Sequence, residues 1–246
     1  LFFVKSPKDS LMVLIFFTAS NFFIFLYLFF VMLRNIGPIN LASFSKSKLI
    51  LKKSSYSFLI SIIPVIFQTI SISILSISIS PYQLGLYFGA SKIYKAYNAL
   101  YGPISQAFFP VITNVNSKSL ISSQFLLKKY LMTLFIFGIL MFALNYFFAE
   151  KIIFILLGEK YIQAQVILKI FGLVLPLTAI TNALGRQWLM VINRDRFYFT
   201  SLVVSSFIAL LVFICTLDSL GSKAYPVSLL AFEFTSIDLI SIFLYK

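Results

Sequence analysis

Lys92 and Lys95 stand three residues apart in the run Gly89-A-S-K-I-Y-K-A-Y-N-A-Leu100, which is otherwise apolar enough to be buried. No carboxylate lies within reach of either ammonium along the same helix. At about 100° per residue, with Lys92 at zero, Lys95 falls at about 300°, Asn98 at about 240° and Gly102 at about 280°. Ser91, Ser105, Gln106 and Thr113 land in the same arc, roughly 140° wide. Leu86, Ile93, Leu100, Ile104, Ala107 and Val111 gather on the other side. An ammonium at mid-bilayer costs roughly 2.5–3.5 kcal/mol on insertion scales, and such groups face a bundle interior or a wet cavity. Lys92 lies ~12 Å and Lys95 ~16 Å inside the nearer boundary of its span, the second too deep to reach water along the helix surface. The stripe therefore lines water or meets an anion. The competing arrangement is a buried ion pair with Glu233 or Asp238. Those acids are five residues apart, about 140° around a helix, so at most one lysine–acid pair forms easily.

Two further stripes obey the same logic. Thr178, Asn182, Arg186 and Asn193 share an arc of about 80°. Arg186 lies ~9 Å from its end of the span, close enough for its guanidinium to reach water there. Ser57, Ser61, Gln68, Ser71 and Ser78 share about 100°, with Pro64 on the same face. For these serines, helix–helix hydrogen bonding is the favoured role, since small polar residues let helices approach. Tyr87, Tyr94 and Tyr101 flank the lysine arc, placed either to stack on sugar rings or to face lipid and interfaces.

The elements that position these groups are set by composition. Of 246 residues, 60% are hydrophobic and 11% charged, and Phe alone contributes 30. A soluble domain keeps about 25% of its residues charged, so this chain cannot cover a water-facing surface. It reads as an all-α polytopic membrane protein. The absence of His and the single Cys215 exclude a disulfide framework, a Cys/His metal site and a Ser-His-Asp or Cys-His catalytic unit. No catalytic residue, metal or cofactor is expected. The net charge of +13 is carried mainly between apolar runs, without the exposed basic stripe that a nucleic-acid partner requires. The chain opens Leu1-Phe2-Phe3 with no cleavable signal pattern, and is read as starting inside a longer protein.

A bilayer-crossing helix needs about 20 mostly apolar residues. Seven segments qualify: 11–33, 57–80, 84–112, 127–149, 166–192, 197–217 and 224–245. Pro64, Pro103 and Pro176 fall within spans and are expected to mark kinks. The run Thr69-I-S-I-S-I-L-S-I-S-I-Ser80 alternates like a strand. A lone strand has no backbone partners in lipid, so a helix is expected there too. Taking connections alternately, Arg34, Lys46, Lys48, Lys52, Lys53, Lys118, Lys128, Lys129, Arg194, Arg196 and Lys246 fall on one side. Only Lys5, Lys8, Lys151, Lys160 and Lys223 fall on the other, beside Asp9, Glu150, Glu159 and Asp218. The richer side is expected to be cytoplasmic, and the C-terminus with it. Residues 34–55 form the longest connection, basic and Ser-rich, either an amphipathic helix on the membrane surface or a solvated linker.

Three stretches carry a family resemblance. Ser80-P-Y-Q-L-G-L-Y-F-G-A-S-K-I-Y-K-A-Y-N-A-L-Y-G-P-I-S-Q-A-F-F-P-V-Ile112 resembles the segment of O-antigen flippases with a G-x-Y-x-x-A-x-K core and a P-I-x-x-A-hydrophobic-P ending. Leu157-G-E-K-Tyr161, followed by Ala164 and Leu168, is similar to the loop before that family's tenth span. Leu220-G-S-K-A-Tyr225 is similar to its last loop. The family is the Wzx-type polysaccharide flippases of the multidrug/oligosaccharidyl-lipid/polysaccharide exporter superfamily, whose members have two six-helix lobes around a central cavity. The resemblance implies that 1–33 is the last helix of a first lobe, 34–55 the cytoplasmic connection and 56–246 the second six-helix lobe. It implies alternating access for a polyprenyl-diphosphate-linked oligosaccharide in the bacterial inner membrane, with no nucleic-acid partner. Lys92, Lys95 and Arg186 would neutralise the diphosphate while Asn98, Gln106 and Asn182 meet sugar hydroxyls. Rival functions are a drug–cation antiporter of the same superfamily, a membrane-bound polysaccharide polymerase and a non-transporting scaffold. An antiporter calls for an acidic cavity, a polymerase for acid–base groups in a large water-facing loop, and a scaffold for interlocked stripes with no cavity.

Overall fold

The computed structural model describes residues 10–36 and 43–244. Lys5, Lys8, Asp9 and Lys246 of the charge tally lie outside the described residues, as do 37–42 of the long connection and the side chains of Lys46, Lys52 and Lys53. Among the described residues the secondary structure is entirely helical. The helices are α1 (Ser10–Ile36), α2 (Phe44–Ser78), α3 (Pro81–Ala99), α4 (Tyr101–Asn116), α5 (Leu120–Leu157), α6 (Gln165–Thr181), α7 (Asp195–Leu220) and α8 (Ala224–Leu244). Two compact units divide the chain, residues 1–53 and 54–246. Several helices are long and apolar enough to cross a membrane, the architecture of a polytopic membrane protein. The stretch Asp195–Leu244 meets that criterion as one block, but α7 and α8 pack closely on each other within it. With α3 and α4 taken as one broken span, the arrangement is compatible with about seven crossings.

The alternating run at 69–80 is helical through Ser78. Two serines on the polar face of α2 satisfy themselves locally: Ser78 Oγ donates to the Ile74 carbonyl at 2.9 Å and Ser61 Oγ to the Ser57 carbonyl at 3.1 Å. Bonding back to the preceding turn removes the hydroxyl from contact with other helices, so the expected helix–helix bonding is not formed by these two. From Phe44 the helix runs unbroken through the second half of the long connection into the span.

Local chemistry explains the ends. Ser80 caps α3, its Oγ accepting from the Gln83 N–H, with Pro81 in the first helical position, where a missing N–H loses nothing. Ser119 caps α5 in the same way through the Ser122 N–H. Gly158 at φ +89° and Gly221 at φ +52° end α5 and α7 in backbone regions that L side chains rarely enter. The span expected at 84–112 is two helices that meet at Leu100. Pro103 has no N–H to give the Ala99 carbonyl, so the regular ladder stops there.

The core of the second unit is aromatic. Tyr94 of α3 stacks on Phe171 of α6 at 4.6 Å between ring centroids. Phe67 of α2 stacks on Tyr225 and Phe232 of α8 at 5.8 and 5.9 Å. Small buried residues (Ser201, Ser205 and Ala209 on α7, Ser228 and Ser236 on α8) accompany the close packing of these two helices. At the α3–α4 break, the buried Tyr101 hydroxyl donates to the Leu175 carbonyl of α6 at 2.8 Å. Tyr101→Phe is therefore expected to lower stability by about 0.5–1.5 kcal/mol, read as a lower unfolding midpoint in detergent.

Candidate functional site

Lys92 and Lys95 project from one exposed face of α3, whereas Ile93 and Tyr94 between them are buried against the rest of the bundle. The helix presents its aromatic side inward and its ammonium groups outward. Neither lysine has an acidic partner among the described residues: the Glu233 carboxylate is occupied by the hydroxyls of Thr178 and Thr181, and Asp238 is exposed. The ion pair expected as the alternative is not formed. Asn98, next along α3, is half-buried.

Gln106 and Arg186 are exposed, and Asn182 is half-buried. Gln187, beside Arg186, donates through Nε2 to the Ser105 carbonyl at 3.0 Å, joining α4 to the segment after α6. Ser105 Oγ in turn shares a 2.7 Å hydrogen bond with the Tyr130 hydroxyl of α5. Gln106 and Arg186 thus flank one polar junction, while Lys92 and Lys95 sit on the preceding helix. The six candidates do not form a single hydrogen-bonded cluster. The hollows lined by Leu189, Phe197 and Phe243 and by Ser78, Gln83 and Asp218 include none of them.

Two expectations are corrected. The arc through Thr178, Asn182, Arg186 and Asn193 requires an unbroken α-helix, but Asn182–Leu189 is a π-helix. Its wider turn rotates the side chains beyond Asn182 away from the expected face, leaving Arg186 exposed while Thr178 is buried. Single π turns inside α-helices recur at functional positions. The second correction concerns Tyr87, Tyr94 and Tyr101. They are 0%, 8% and 2% exposed, which removes them from contact with a sugar. Tyr94 is held by the Phe171 stack, Tyr87 by Tyr225 at 5.7 Å and Tyr101 by Phe137 at 5.5 Å.

The feature that sequence reasoning missed is the carboxyl cluster in the core. Glu233 is 5% exposed. Thr178 Oγ1 lies 2.7 Å from its Oε1, and Thr181 Oγ1 lies 2.5 Å from its Oε2. Tyr94, Tyr101 and Tyr198 are within electrostatic reach of the same carboxyl group. The signal is an acid in the middle of an apolar helix, which the sequence alone offers only as a possible lysine partner.

No protein-family model, no curated protein and no solved structure matches the chain.

Proposed function

We propose that the protein is a flippase that moves a polyprenyl-diphosphate-linked oligosaccharide across the bacterial inner membrane by alternating access, with its C-terminus in the cytoplasm. The observation that carries this reading is the exposed pair Lys92 and Lys95, without an acidic partner among the described residues, on a helix whose opposite face is packed. Two ammonium groups facing hydrocarbon would cost roughly 5–7 kcal/mol on insertion scales. That face therefore belongs to water or to an anionic ligand, and a diphosphate headgroup supplies the charge. The lysines, with Arg186, neutralise it, and Asn98, Gln106 and Asn182 offer amides to the glycan. On this reading the facing half of the cavity would come from a first lobe, as the Wzx-like motifs at 80–112, 157–168 and 220–225 imply. Transport carriers place such sites near the midplane between lobes that rock against each other.

The basic face speaks against a drug–cation antiporter, whose cavity needs accessible acid. Glu233, the acid in the core, is buried and doubly hydrogen-bonded rather than open on a cavity wall. Expression in a flippase-deficient strain with a compatible lipid-linked glycan tests the proposal. Surface glycan is expected to return. Normal membrane levels of the protein with glycan still confined to the inner face would overturn it.

A further inference from the structure

The hydrogen-bond arithmetic at Glu233 points to an exchangeable proton. Each threonine hydroxyl has one proton to give. Thr178 Oγ1 faces two acceptors, the Val174 carbonyl at 3.1 Å and Glu233 Oε1 at 2.7 Å. Thr181 Oγ1 likewise faces the Leu177 carbonyl at 3.3 Å and Glu233 Oε2 at 2.5 Å. With Glu233 ionised, both hydroxyls turn from the helix carbonyls to the carboxylate. With Glu233 protonated, its own O–H donates to one threonine, which donates onward to its carbonyl, while the other threonine still donates to the second carboxyl oxygen. Both states are fully hydrogen-bonded by the same atoms, and they differ by one proton and by the direction of one relay.

Among the described residues, the surroundings carry no fixed countercharge. From α6 the carboxyl meets Thr178 and Thr181; Tyr94 of α3, Tyr101 at the start of α4 and Tyr198 of α7 lie within electrostatic reach of it. On its own helix the other acid, Asp238, is exposed five residues away. Arg186 is exposed and acts on Tyr198 and Tyr130. Tyr198 thus lies within electrostatic reach of both the surface cation and the buried acid. An ionisable side chain in a membrane-spanning helix without a fixed partner marks a relay or ion site.

We propose that Glu233, Thr178 and Thr181 form a proton-binding site that exchanges one proton with bulk water while α8 remains packed on α6. Proton uptake forms the carboxyl O–H bond, and release returns the proton to water with no other bond broken. The proposal concerns three side chains and holds whether or not the protein is a flippase.

Infrared difference spectroscopy on the purified protein in lipid vesicles tests it, scanned across roughly pH 5–9, where buried carboxyl groups exchange. A carboxylic-acid carbonyl band that rises on acidification is expected in the wild type, lost in Glu233→Gln and kept in Asp238→Asn. Thr178→Val is expected to move its midpoint, and Thr178→Ser to restore it. Should Glu233→Gln fail to fold, the midpoint moved by Thr178→Val and restored by Thr178→Ser still tests the site, and an unmoved midpoint overturns the proposal. Identical spectra for the wild type and Glu233→Gln would overturn the proposal, as would a Glu233 band that ignores pH. A band removed by sodium ions at constant pH would make this a metal-cation site and equally overturn it.

Discussion

On the proposed flippase function, Lys92→Ala combined with Lys95→Ala is expected to lower the initial rate of lipid-linked oligosaccharide transport in proteoliposomes by roughly a hundredfold. Each ammonium that meets a phosphate makes a charge-assisted bond of about 1.5–3 kcal/mol, and 1.4 kcal/mol is about tenfold. Single substitutions should therefore lose about ten- to a hundredfold. The double loss falls short of a simple product, because neighbours that share one ligand are coupled. Lys→Arg at either position keeps the charge and is expected to retain most of the rate. The variants should also fold normally: both side chains are exposed and, among the described residues, free of acidic partners, so their removal opens no cavity. That separation of rate from stability is the useful part. A double alanine variant that transports at the wild-type rate would remove the lysines from the mechanism and leave their place in the membrane unexplained.

The helices were legible because lipid leaves little choice: an apolar run of some 20 residues must satisfy its own backbone, and even the strand-like 69–80 obeyed. Breaks and faces were harder. Pro103 announced trouble near 100, and the break indeed falls at Leu100. The π-helix at Asn182–Leu189 had no local signal, and nothing in its sequence shows that Gly185 must lie against the Tyr198 ring. Tyr87, Tyr94 and Tyr101 repeat every seven residues, a spacing that keeps one side of a helix toward a partner. The repeat was visible, but their burial depended on Phe171, Tyr225 and Phe137. Glu233 shows the same limit. The acid was plain in the sequence, yet its partners sit 55 and 52 residues earlier on another helix. Lys92 and Lys95 were placed together by helical geometry alone, which needs no tertiary information.

Gly138→Val is expected to be among the most destabilising single changes in the bundle. A Cβ at this position would lie 2.7 Å from Pro176 Cα, 2.9 Å from Pro176 N and 2.9 Å from the Tyr101 hydroxyl. The first two are backbone atoms of α6, so no side-chain rotation relieves the clash. Pro176 itself cannot yield by rotating about φ, because its ring fixes that angle. The third contact is the hydroxyl that holds the Leu175 carbonyl, so the substitution also presses on the bond joining α4 to α6. Even Gly138→Ala should cost about 1–3 kcal/mol in overpacking, offset in part by the roughly 1 kcal/mol that alanine gains over glycine within a helix. Valine adds two more carbons and forces α5 and α6 apart. At about 2–4 °C per kcal/mol for a chain of this size, the unfolding midpoint in detergent should fall measurably for alanine and further for valine. Gly102→Ala is the matched control, since a Cβ there meets nothing within 4 Å. It should be neutral or slightly stabilising. Equal midpoints for Gly138→Val and Gly102→Ala would show that α5 and α6 do not meet at Pro176 in the folded protein.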